Sequence, residues 1–322
     1  MVRAALLLAL SVAAASFNVK AQEPYPGRPI RIIVPYPGGA SGADNLARLL
    51  GPKLAERWGQ PVFVENRPGA SAVPGHEAIA KAAPNGYTMG FSATSFTTNV
   101  ALAPKLPYDP IKSFDRVMLL GTNVVGFFIA NKVPATSLKE FLELVRSQPG
   151  KLNYASPGNG TPQHLAMELL KLEAKVDLVH VPYKSSAGAL TDLLGGVVQA
   201  MVIPLQTAAP HIQSGGVKML AVMSAQRAPA FGTVPTMREL GLPGIEVDTW
   251  YGAFGPTGMP PAVIARWNAE LNALMKLPDV RENLEKQGLV PGGGTPERFT
   301  RLLEDDIARW QRVVSAAGIK AD

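Results

Sequence analysis

The stretch Arg31-Ile32-Ile33-Val34-Pro35-Tyr36-Pro37-Gly38-Gly39-Ala40-Ser41-Gly42-Ala43-Asp44 contains a strand, a glycine-rich turn and the head of a helix in one short run. Ile30 to Val34 is a continuous apolar run of the length and β-branched content of a buried strand. Pro35 to Gly42 cannot continue it, because proline lacks a ladder donor and glycine favours turns. Asp44 is a predicted N-cap. Leu46, Leu49, Leu50, Leu54 and Trp58 then mark the apolar side of a helix, with Gly51-Pro52 predicted to kink it.

The same style recurs along the chain. Val62 to Val64, Thr88 to Phe91, Val117 to Leu120, Asn153 to Ser156, Leu178 to Val181, Ala200 to Ile203 and Met219 to Val222 read as further strands separated by helices or turns. Alternation of this kind defines an α/β protein. Ser137 with Glu140, and Thr236 with Glu239, have capping-box spacing. Val263, Ile264, Trp267, Leu271, Leu274 and Met275 line one helix. Thr295-Pro296 opens another that carries Phe299, Leu302, Leu303, Ile307, Trp310, Val313 and Val314 at helical spacing. Glu304, Asp305 and Asp306 read as the solvated face of that last helix.

Composition narrows the function. Met1, Val2 and Arg3 precede an apolar run from Ala4 to Ala15, shorter than the roughly 20 residues that span a bilayer. Val19-Lys20-Ala21 then offers a cleavage point, so residues 1–21 read as a secretory signal and the protein as periplasmic. Cleavage after Ala21 leaves 301 of 322 residues and removes Arg3 and Lys20, lowering the net charge from +6 to +4. That modest excess lacks basic tracts and implies no nucleic acid. The absence of cysteine excludes disulfides, thiol catalysis and cysteine metal sites. No cofactor or metal is implied, and monomer is the default.

Two loops carry the candidate chemistry: Pro37 to Asp44 and Ser156-Pro157-Gly158-Asn159-Gly160-Thr161. Each follows a strand and precedes a helix, where free amides and the helix dipole hold an anion. Ser41, Ser156 and Thr161 add hydroxyls. Enzyme motifs break down nearby. Gln163 replaces the third glycine of a nucleotide fingerprint, and Ala43 replaces the last glycine of a serine-hydrolase elbow. His76, His164, His180 and His211 share no metal-ligand spacing and read as structural.

The residues quoted so far resemble the Bug (TctC-like) family of solute receptors of tripartite tricarboxylate transporters. The resemblance runs on through Val64-Glu65-Asn66-Arg67-Pro68-Gly69-Ala70, Pro84-Asn85-Gly86-Tyr87-Thr88 and Leu106-Pro107-Tyr108-Asp109-Pro110. It continues in Gly150-Lys151-Leu152-Asn153-Tyr154-Ala155-Ser156, His180-Val181-Pro182-Tyr183-Lys184 and Ala317-Gly318-Ile319. It implies a type II periplasmic-binding fold, with residues 22–122 plus 250–322 as lobe 1 and 123–249 as lobe 2. It further implies a small carboxylic acid held between the lobes, membrane transporter subunits as partners, and no catalysis. The expected donors are Gly38, Gly39, Ala40, Ser41 and Gly42, facing Ser156, Gly160 and Thr161. Asp44 is expected to fix the first loop, with Tyr36, Ser92, Thr94, His164 and Tyr183 near the cleft wall. Three departures stand out: extra residues between Gly39 and Asp44, Ser185-Ser186 after Lys184, and Ile203 where relatives have an acid. The last favours an acid with an apolar or aromatic body. Two alternatives stay open: a periplasmic hydrolase using Ser41 with His164, and a receptor for a signalling system.

Overall fold

The computed structural model describes residues 25–39, 41–69, 72–103 and 105–319. The expected signal segment and Ala40 lie outside these. The elements in chain order are β1 (Ile30–Val34), α1 (Gly42–Trp58), β2 (Val62–Asn66), α2 (Val73–Ala80), β3 (Thr88–Ala93), α3 (Ser95–Leu102) and β4 (Phe114–Ala130). There follow α4 (Leu138–Ser147), β5 (Asn153–Ser156), α5 (Pro162–Ala174), β6 (Val179–Pro182), α6 (Ser186–Gly195), β7 (Ala200–Pro204), α7 (Leu205–Gln213) and β8 (Val217–Val222). The chain closes with β9 (Asp248–Pro256), α8 (Pro261–Leu274), α9 (Pro278–Lys286), β10 (Leu289–Pro291) and α10 (Pro296–Ala317).

β4 organises the molecule, and its length follows from an apolar run that continues well past Leu120. Residues Phe114 to Val124 pair antiparallel with β9, while Val125 to Ala130 pair with β7 and β8. On one side of that switch lie β2, β1, β3 and β9, with β1 parallel to both β2 and β3. On the other lie β7, β5 and β6, with β5 parallel to both of its neighbours. The parallel strands β1, β3, β5, β6 and β7 therefore end at the level of the switch, where open α/β sheets bind ligands.

α10 spans both halves. Phe299 and Leu303 pack with Phe96 and Phe254 under the first sheet. Trp310, Val313 and Val314 instead enter the core of the second, with Phe127, Phe141 and Tyr154. Asp306 sits between these two contacts and is buried, not solvated like Glu304 and Asp305. It accepts hydrogen bonds from Thr97 Oγ1 (2.6 Å), Trp250 Nε1 (2.9 Å) and Arg309 Nη1 (3.0 Å).

Local signals behaved unevenly. Ser137 caps α4, and Glu140 reaches back to the Thr136 amide at 2.7 Å. Thr236 and Glu239 exchange both bonds of a capping box yet head only a turn, because Gly241 at φ +87° ends it. α1 runs on through Pro52 to a left-handed Gly59 cap. Its N-cap is Ser41, whose Oγ accepts the Asp44 amide at 3.2 Å, so the expectation that Asp44 is the cap is corrected. Asp44 stands three residues inside the cap, where Ser-x-x-acid spacing places it.

Candidate functional site

The first loop is built around the Asp44 carboxylate, which is fully buried. One oxygen accepts the Gly39 amide at 2.7 Å and Arg48 Nε at 2.8 Å, and the other accepts Asn66 Nδ2 at 2.7 Å. Burial pushes this carboxyl upward, but the bonds from Arg48, Asn66 and Gly39 outweigh it and hold the group below the ordinary carboxylate range. Gly39 at φ +71° supplies the left-handed turn that aims its amide inward. That amide is bonded within the loop.

The donors that remain are at the head of α1. The amides of Gly42 and Ala43 open the helix and have no acceptor within it. A side chain at Gly42 would place its Cβ 2.5 Å from the Tyr251 ring, so only glycine lets that ring close against the helix head. Arg48 and Asn66 also pin the loop entry, with Arg48 Nη2 on Asn66 Oδ1 (2.8 Å) and Asn66 Nδ2 on the Tyr36 carbonyl (3.0 Å). Arg48 and Asn66 were missed from sequence as parts of the site. The Asn66-Arg67-Pro68-Gly69 segment carried a family signal but no chemical one.

Tyr36, Ser92 and Thr94 meet at the ends of β1 and β3. The Tyr36 hydroxyl lies 3.1 Å from Ser92 Oγ and 2.6 Å from Ser95 Oγ, and it accepts the Ala93 amide at 3.1 Å. Ser92 and Thr94 are fully buried. Ser92 pairs with His76 Nε2 (2.6 Å), and Thr94 Oγ1 accepts the Trp250 amide (2.9 Å). Both are therefore bonded within the first half of the molecule. Ser95, which sequence reasoning passed over, is with Tyr36 a partly exposed residue of this group.

The second loop is equally self-bonded. Ser156 Oγ lies 2.7 Å from His180 Nε2, donates to the Gly158 carbonyl (3.0 Å) and accepts the Gly158 amide (3.2 Å). Thr161 caps α5 and donates to the same carbonyl at 2.8 Å. The Gly160 amide donates to His164 Nδ1 at 3.0 Å, so it too is used within the loop. His164 stacks on His180 with ring centroids 3.9 Å apart, and Tyr154 lies nearly parallel to both, 4.9 Å from His180 and 6.3 Å from His164. Burial first, then the neighbouring His164, pulls His180 down to about 4. Gly160 faces the first sheet's side: a Cβ there would lie 2.7 Å from Leu102 at the end of α3. Loop two thus rests on an element of the other half.

The last two expected residues sit apart from any open donor set. The Tyr183 hydroxyl donates to Asp192 at 2.5 Å, and burial together with that carboxylate raises it to about 12. Ile203 is fully buried in the second core, paired with Gly126 on β4, so its side chain is packing and not wall. Ser41 Oγ caps α1 and His164 Nδ1 accepts the Gly160 amide. Nothing in these contacts supports a hydrolase pairing of the two. A separate cavity of about 740 Å³ lies beside the switch in β4, lined in part by Val124, Leu205, Phe231 and Leu289.

Two sheets sharing one long strand, with helix heads from both at the level of the switch, define a two-lobed solute receptor of the type II periplasmic-binding fold. Residues 46–319 match the tripartite tricarboxylate transporter family receptor (TctC). Protein BugT of Bordetella pertussis is 36% identical over 298 residues, covering 92% of this chain and 91% of that protein. Among solved structures, R. palustris Rpa4515 with adipate is similar at 31% identity and a TM-score of 0.75, covering 92% of this chain and 99% of that one. MatC (Rpa3494) from Rhodopseudomonas palustris with bound malate is similar at 34% identity and a TM-score of 0.72, covering 90% and 100%. The chain belongs to the TctC receptor family of tripartite tricarboxylate transporters.

Proposed function

We propose that the protein captures a small carboxylic acid, with dicarboxylates first among them, in the crevice at the β4 switch and delivers it to membrane subunits of a tripartite transporter. The head of α1 carries this reading. With Asp44 paired to Arg48 and tied by Asn66, the Gly42 and Ala43 amides, which have no acceptor within the helix, are the donors of this reading, in the field of the helix N-terminus. The adipate and malate held by two relatives of similar fold support the ligand class. Lobe 1 is residues 22–122 plus 250–322 and lobe 2 is 123–249. The change of partners at Val124 and Val125 supports the first division, and α10 straps both lobes. Closure around the ligand is a population shift driven by contacts made only in the closed form. Export with cleavage after Ala21, a monomeric state and the absence of turnover complete the proposal.

The test is thermal unfolding of the mature chain against malate, adipate, tricarboxylates, aromatic acids, amino acids and neutral amides. A ligand at 100 times its Kd stabilises by about 2.7 kcal/mol. A shift confined to acids, with the compound recovered intact, supports the reading. Shifts by uncharged molecules alone would refute it, and conversion of the compound would restore the hydrolase.

A further inference from the structure

β4 passes from one lobe to the other as an apolar strand with a single side-chain amide in it, Asn123. Asn123 stands immediately before Val124 and Val125, where the strand exchanges β9 for β7 and β8 as partners. It is 5% exposed, and its Oδ1 is buried with no hydrogen-bond partner among the described residues. Buried polar side-chain atoms are nearly always bonded, so an open amide at the junction of the lobes stands out.

The strand register shows which way it points. Gly121 to Val124 pair without interruption with Tyr251 to Asp248. Side chains alternate along strands, so Asn123 shares a face with Tyr251. Thr122 and Trp250 take the other face, where Trp250 bonds Asp306 of α10. Tyr251 packs with Ala43, Leu46 and Ala47 of α1, and its hydroxyl adjoins the Asn123 amide. A Cβ on Gly42 would lie 2.6 Å from that hydroxyl oxygen. Asn123 is thus one side chain removed from the head of α1.

We infer that Asn123 is a specificity-determining residue that binds a hydroxyl on the carbon next to the carboxylate held at α1, so that the preferred ligands are 2-hydroxy acids. The inference rests on the proposed function and specifies a further part of the same site. A carboxylate oxygen only accepts, and beside Oδ1 it sets lone pairs against lone pairs. A hydroxyl both donates and accepts, so it satisfies the amide whether Oδ1 or Nδ2 is turned towards it. Only the Tyr251 hydroxyl separates Asn123 from Gly42, so the matching group is carried close to the bound carboxylate. An acid without it leaves the amide open when the lobes close, which is how a site built for a hydroxyl rejects the deoxy analogue.

Matched pairs that differ only in this hydroxyl supply the test: malate with succinate, 2-hydroxyglutarate with glutarate, and citrate with tricarballylate, using both enantiomers where the acid is chiral. Each is titrated by calorimetry into mature wild type, Asn123→Leu and Asn123→Ala. Wild type should bind the hydroxy member about five- to tenfold more tightly in at least one pair, the worth of one hydrogen bond. Both variants should bring that ratio to about twofold or less by weakening the hydroxy member alone. N123L replaces an open amide by an apolar group of similar size, so without ligand it should unfold no more easily than wild type. N123A, which cannot overpack, keeps the binding test available if leucine does not fit. The inference is overturned if wild type binds both members of every pair alike, or binds only acids without the hydroxyl. It is equally overturned if the variants shift both members alike, which makes Asn123 structural, or if they keep the wild-type preference. If wild type binds no carboxylate at all, the proposed function itself has failed, which the wild-type titrations alone reveal.

Discussion

Replacing Asp44 by asparagine isolates what the carboxylate does for the α1 loop. Three donors converge on its two oxygens, from Gly39, Arg48 and Asn66. Asparagine keeps the shape but offers one oxygen and one amide nitrogen. If its oxygen serves Gly39 and Arg48, its nitrogen meets the Asn66 nitrogen, donor against donor. Turning Asn66 over does not help, because its nitrogen also serves the Tyr36 carbonyl and its oxygen accepts Arg48. One buried donor is left unpaired, which costs about 1–3 kcal/mol. The lost charge attraction to Arg48 adds only about 0.5 kcal/mol, since that side chain is 53% exposed and screened. Urea unfolding at pH 7 should therefore show D44N destabilised by about 2–3 kcal/mol with the m-value unchanged. The double variant D44N/N66D restores the match between the two side chains but strands the Tyr36 carbonyl, so it should recover part of the loss. A D44N protein within 0.5 kcal/mol (about the scatter of a neutral surface change) of wild type would refute the reasoning.

Gly42→Ala drives a methyl into the Tyr251 ring; it should cost about 1–3 kcal/mol and weaken acid binding, both read by denaturation with and without malate. Acid stability should carry opposing contributions. His76, held down at about 3, stays neutral when folded, so stability falls as pH drops below 6.5 at up to about 1.4 kcal/mol per unit. Asp248, raised by burial to about 6, takes its proton earlier in the folded state, so acidification from pH 6 to 4 stabilises through this group. D248N should thus steepen the acid limb of a stability–pH curve and H76Q should flatten it. Asp306→Ala removes the acceptor of Thr97, Trp250 and Arg309 and should cost about 3 kcal/mol in urea unfolding.

Local pattern was enough for β1, β5 and the capped starts of α4 at Ser137 and α10 at Thr295, because their signals lie within a few residues of one another. Elements defined by distant partners were not legible. β9, with Gly252 and Gly255 inside it, reads as loop until β3 and β4 are seen pairing on either side. Gly252 itself is required there, since a Cβ would fall 2.0 Å from the Phe299 ring. β10 is only three residues long and ends in proline. Asp306 looked solvated beside Glu304 and Asp305, because its partner Thr97 lies 209 residues away. In the loops, glycine content correctly marked the turns, but which amides stay available depends on side chains. Asp44 takes the Gly39 amide and His164 takes that of Gly160. Ser95 lacked any motif and acquires significance only through Tyr36, which lies 59 residues away in sequence.

A crystal structure of the mature protein with malate or adipate bound tests the central claim most directly. The account predicts a carboxylate oxygen within hydrogen-bond distance of the Gly42 and Ala43 amides at the head of α1, with Asp44 still bonded to Gly39, Arg48 and Asn66. An acid lodged instead in the cavity beside Val124, Leu205 and Leu289, with the α1 head untouched, would contradict it.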